Sequence, residues 1–163
     1  MAAGTRVLHG VRIQDLRYLG AVLAIVVAGV HLLHPDLGAP RLLIYLQVGT
    51  LFDPRPLIFT VAAFLIVFGI VLVYHGLFVR QIYLLGIVLM VILLIGYVAW
   101  HTVLDHGGFW PHLPAHGHHD TGFFETVWIH LRGDTIAMVS KVHELALLGV
   151  LILLYVTDRP ESA

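Results

Sequence analysis

Chemistry in this chain, if it has any, rests with histidine. There are 12 histidines among 163 residues, and His112, His116, His118 and His119 crowd into FWPHLPAHGHHDTG, residues 109–122, between prolines and glycines. Neutral imidazole ligates copper, zinc, iron and nickel. The chain has no cysteine, which excludes disulfides, thiolate sites and iron–sulfur clusters. A transition metal would therefore rest on imidazole and carboxylate, with help at most from the 3 methionines. Histidine-rich tracts also bind ions adventitiously, so the loop by itself does not define a site.

The helix-end histidines carry the sharper expectation. His31 and His34 are spaced i,i+3, and His101 and Asp105 are spaced i,i+4, so each pair shares a helix face. A ligating imidazole usually donates its second nitrogen to a carboxylate, a role open to Asp105 or Glu144. In SKVHELA, Lys141, His143 and Glu144 lie inside an apolar stretch, where ionisable groups point to function by default. His143 is about 13 Å of helical rise beyond the expected start of its helix. The residues expected to form an ordered metal site are His31, His101 and His143, with His34, Glu144 and Asp105 behind them. His112, His116, His118 and His119 would collect or hand over ions.

The elements that must position these groups are membrane helices. The chain is 59% hydrophobic and 12% charged, with a net charge of −1 when histidine is neutral. That balance reads as an integral membrane protein and offers no basic surface for nucleic acid. Spanning helices need about 20 apolar residues. Four runs qualify, at about 16–34, 56–75, 81–102 and 134–157. Pro35 closes the first, Asp53 and Pro54 introduce the second, and Asp134 caps the fourth. The first apolar run lacks a small-residue cleavage site after it, so it reads as a retained helix.

The expected fold is a single all-α domain: four transmembrane helices in an antiparallel up-and-down bundle, with a long His-rich outer loop, 103–133, between helices 3 and 4. Residues 41–52 are too short to span and lie along the interface, and FFETVWIHL at 123–131 lies on the membrane surface as a short amphipathic helix. Arg6, Arg12, Arg17, Arg80 and Arg159 fall on one side, against Arg41, Arg55, Arg132 and Lys141 with most of the acids on the other. The bias sets both termini in the cytoplasm, at the plasma (inner) membrane, and the His-rich loop outside.

The leading expectation is transition-metal binding, copper or zinc, at the extracytoplasmic interface for metal handling or delivery. An alternative is a b-type haem-binding electron-transfer subunit, with His31 and His101 or His143 as axial ligands and Gly29, Gly96 and Gly149 opening space. A second is a non-catalytic accessory subunit of a larger membrane complex or a homo-oligomer, using the small-residue stripe Gly20–Ala24–Ala28 for close helix approach. No nucleophile–base arrangement, phosphate loop or dinucleotide fingerprint occurs, so an enzyme is the less favoured class. His75, beside Gly76, is expected to do no more than end its helix.

Overall fold

The computed structural model describes residues 7–8, 11–108, 110–113 and 122–158. His9, His116, His118 and His119 lie outside the described residues. Val7–Leu8 and Val11–Arg12 make a minimal antiparallel pairing, and the rest of the regular structure is helical. The helices are α1 (Ile13–Leu33), α2 (Ala39–Val48), α3 (Arg55–Tyr74), α4 (Val79–His101), α5 (Phe123–Gly133) and α6 (Thr135–Thr157), with a 3-10 turn at Asp105–Gly107.

Helices α1, α3, α4 and α6 are long and apolar enough to cross a membrane. Only 28%, 22%, 17% and 22% of their most apolar windows is buried within the protein. The outward residues, among them Val22, Ile25, Phe64, Phe68, Leu85, Ile92, Val142 and Leu145, form belts that water would penalise and hydrocarbon would not. The chain is therefore built for a lipid surround.

Lipid chains are as apolar as leucine, so the helices associate by close packing and not by escaping solvent. Small side chains let them approach. Ala24, Val27 and Ala28 of α1, Ala62, Ala63 and Ile66 of α3, Met90 and Leu93 of α4 and Leu147 of α6 make one continuous core. The Gly20–Ala24–Ala28 stripe faces inward: a Cβ at Gly20 would stand 3.3 Å from Val150 and 3.5 Å from Leu154. α1 packs against both α3 and α6, and α6 against α4, while α3 and α4 touch less.

Sequence punctuation accounts for the ends. The Asp134 side chain accepts the Ala137 N–H at 3.0 Å, an N-cap for α6. Two residues before α3, Asp53 accepts the Arg55 N–H at 2.9 Å and the Arg55 guanidinium at 2.6–3.1 Å. The His75 N–H closes α3 on the Val71 carbonyl at 3.1 Å. The α1 start, the α4 start and the end of α6 are tied together. Arg17 donates twice to Asp158 at 2.8 and 2.9 Å, and the Tyr83 hydroxyl donates to it at 2.9 Å. An apolar groove of about 1310 Å³ enters this end between residues of all four spans, and these three bonded residues are among its polar groups.

The 103–133 segment is more than a loop. It contains the 3-10 turn and all of α5, whose Phe123, Phe124, Trp128 and Ile129 are exposed while Thr126 is buried.

Candidate functional site

At the end of α4 the backbone makes an unusual turn. Asp105 (φ 44) and His106 (φ 55) are both left-handed, and Gly107 follows at φ 82. Non-glycine residues pay for that conformation, and consecutive ones are found where a site requires them. Gly107 is forced by contact as well as by angle, because a Cβ there would collide with the Trp100 indole and press on Leu113. The turn folds His106 back toward the last residue of α4. Its ring stands 5.1 Å from that of His101, centroid to centroid.

The third ring comes from α5. His130 lies 4.8 Å from His101 and 4.8 Å from His106 between centroids, and the His106 and His130 Nε2 atoms are 3.0 Å apart. Their neighbours determine which nitrogens carry hydrogen. His130 Nδ1 donates to the Thr126 carbonyl at 2.8 Å and His101 Nδ1 to the Tyr97 carbonyl at 2.8 Å, since a carbonyl oxygen only accepts. In the neutral rings the Nε2 atoms of both residues are therefore lone pairs. In the 3.0 Å contact His106 Nε2 is then the donor and His130 Nε2 the acceptor.

Three cations on the neighbouring helices stack on aromatic rings, and two of them, Arg55 and Lys141, are also paired with the carboxylates of Asp53 and Glu144. Arg55 lies 4.3 Å over Trp100, Lys141 5.2 Å over Tyr97 and Arg132 5.6 Å over Trp128. Trp110 Nε1 donates to the Leu51 carbonyl at 3.3 Å, which pins the segment after the turn to the α2–α3 connection.

A second polar group lies within the bundle. His31 is 1% exposed and Glu144 0%. Glu144 Oε1 accepts from Ser140 Oγ at 2.7 Å, and Lys141 Nζ is 2.7 Å from both carboxylate oxygens. His31 Nδ1 donates to the Val27 carbonyl at 2.9 Å, its ring lies 4.6 Å from that of Phe59 in α3, and its Nε2 is 3.5 Å from Glu144 Oε1.

The residues expected from sequence thus separate. His31 meets Glu144 and not His143, whose Nδ1 donates back to the Val139 carbonyl at 2.8 Å. His34 Nδ1 accepts the Asp36 and Leu37 N–H groups at 3.2 Å each, which makes it the pivot of the turn after α1. Asp105 does not orient His101, whose Nδ1 is taken by Tyr97. His112 packs edge-on against Phe52 at 5.3 Å. His106 and His130 were not singled out by sequence. The amphipathic helix expected at 123–131 carries the signal for His130, because Thr126 and His130 sit i,i+4 on the face opposite Phe124 and Trp128.

Among the described residues no group of three or more His, Asp or Glu side chains is arranged to hold a metal ion outright. The chain matches no family model, no curated protein and no solved structure.

Proposed function

We propose that this is a multi-pass membrane protein that binds a transition metal, copper first and zinc second, through His106 and His130 with His101 beside them. One observation carries the reading, the 3.0 Å separation of the two Nε2 atoms. Metal–nitrogen bonds of about 2.0–2.1 Å hold adjacent ligand nitrogens about 2.8 Å apart at right angles and about 3.3 Å apart at tetrahedral angles. The pair already stands between those limits. Binding needs the tautomeric proton of His106 to move from Nε2 to Nδ1, and the carbonyls of Thr126 and Tyr97 fix the other two rings in the ligating tautomer.

The ligand set is narrower than the sequence suggests. Lys141 already neutralises Glu144, and His31 faces that carboxylate, so neither belongs to the metal pair. Among the described residues the next coordination position falls to His101.

An antiparallel up-and-down bundle is supported by two groupings. Arg17, Tyr83 and Asp158 meet at one end, and Arg55 meets Trp100 at the other. With both termini cytoplasmic, as the basic residues favour, the histidine end faces outward from the plasma membrane, and α5 rests its aromatic face on the lipid surface. The role is metal handling or delivery. The haem reading has less behind it. A Cβ at Gly29, Gly96 or Gly149 would meet nothing within 4 Å, and Gly96 and Gly149 are exposed, so these two look onto the outer surface of the bundle. The accessory-subunit reading loses its small-residue stripe to packing against α6.

The test is elemental analysis and an optical spectrum of tag-free protein in mild detergent. About one equivalent of copper or zinc, lost in a His106→Ala/His130→Ala variant, is the expected result. Unchanged stoichiometry in that variant, or a Soret band from bound haem, rejects it.

A further inference from the structure

The His31–Glu144 pair lies outside the proposed metal set, and its geometry makes a demand of its own. The Val27 carbonyl 2.9 Å from His31 Nδ1 obliges that nitrogen to carry hydrogen. In the neutral ring Nε2 is then a lone pair, and it faces Glu144 Oε1, another acceptor, across 3.5 Å. Nε2 makes no hydrogen bond among the described residues. Two acceptors confront each other where solvent is shut out, with His31 at 1% and Glu144 at 0% exposure. One added proton turns this contact into a charge-assisted imidazolium–carboxylate pair. A metal ion is a poorer occupant, because Lys141 Nζ already covers both carboxylate oxygens at 2.7 Å.

We propose that His31 Nε2 and Glu144 Oε1 form a binding site for a single proton inside the bundle, with Lys141 setting its affinity. Loading forms one N–H bond at Nε2; no other bond is made or broken, and Glu144 and Lys141 keep their protonation states. The ionisable groups acting on His31 are Glu144 and Lys141 from α6 and His34 just beyond the end of α1. Ser140 adds a hydroxyl to the carboxylate, α3 presents the Phe59 ring, and α4 presents Tyr97 under Lys141.

The site is one-sided. Along α6 the buried residues after Glu144 are Leu147, Val150 and Leu154, and along α1 those before His31 are Ala28, Val27, Ala24 and Gly20. No side chain in that sequence can pass a proton onward to the Arg17–Asp158 end. The pair therefore takes its proton from the histidine end of the molecule and returns it there, which makes it a proton store or sensor and not a transmembrane wire.

The experiment is a nitrogen-15 NMR titration of ring-labelled histidine in the full chain, in detergent with a metal chelator present, the His31 signal being assigned by its loss in His31→Gln. His31 is expected to pass from the Nδ1–H neutral form to the doubly protonated form as the solution is acidified. Glu144→Gln should lower its proton affinity at least tenfold, and Lys141→Met should raise it at least tenfold. A His31 that stays unprotonated throughout the range in which the protein is folded overturns the proposal, as does an affinity that neither substitution moves. If Glu144→Gln fails to fold, Lys141→Met decides alone, and an unchanged or lowered affinity there overturns it. The chelator keeps this result independent of the metal reading.

Discussion

His106 and His130 meet nitrogen to nitrogen, with Nε2 atoms 3.0 Å apart, although one belongs to a left-handed turn after α4 and the other to the surface helix α5. Hydrogen bonding alone accounts for the contact only if one ring carries its proton on Nε2. A bound ion would account for the same separation without that restriction.

Replacing either residue by alanine should weaken metal binding at least about tenfold, since even the loss of an outer-shell partner costs that much. His112→Ala should leave affinity unchanged, because that ring packs on Phe52. Competition titration against a chelator of known affinity makes the comparison. Imidazole must be neutral to ligate, so binding should also weaken on acidification, with protons taken up as metal leaves. Equal losses in His112→Ala and His130→Ala would assign the metal to the loop as a whole.

Gly107→Ala tests the turn. Its φ of 82 is costly for any L side chain, by about 1–2 kcal/mol, and the new methyl would also press on Trp100. The variant should unfold at lower temperature in detergent and lose metal affinity together with stability, because the turn aims His106. Full metal affinity in a destabilised variant would separate the turn from the site.

Glu144→Ala leaves the Lys141 ammonium buried without its carboxylate. Breaking such a pair on one side costs roughly 3–5 kcal/mol, whereas exchanging both partners for apolar groups is often close to neutral. Lys141→Met/Glu144→Leu should therefore be markedly more stable to thermal or denaturant unfolding than Glu144→Ala. If the single and double variants were equally unstable, the pair would be contributing shape and not charge balance.

The glycines divide into two sets. Gly20→Leu forces a side chain against Val150 and Leu154 and should cost roughly 1–3 kcal/mol, as overpacking does. Gly29→Ala and Gly149→Ala meet open space and should gain roughly 0.5–1 kcal/mol from helix propensity. Unfolding midpoints in detergent measure both, and a stabilised Gly20→Leu would place the α1–α6 contact elsewhere.

Much of the architecture was legible in sequence because its cause is local. A run such as LIFTVAAFLIVFGIVLVY is too apolar for water and too long for a buried core strand, and Asp134 after Gly133 stops and starts a helix by its own hydrogen bond. The observed spans begin and end within a few residues of the expected runs. Residues 39–48 form a helix where an interfacial segment was expected at 41–52, and 123–133 form a helix where a short amphipathic one was expected at 123–131.

The sequence by itself determined that the protein has four helices long and apolar enough for a membrane, and that its metal chemistry would have to use histidine without cysteine. Which histidines meet was decided only by the tertiary structure. His31 and Glu144 come together because α1 packs on α6 with a rotation that turns Glu144 inward and His143 away. His106 reaches His130 because the chain after α4 enters the left-handed region and α5 folds back over it. Helical phase and a change of backbone hand each move a side chain by several ångströms without altering spacing, so spacing alone does not select the partners.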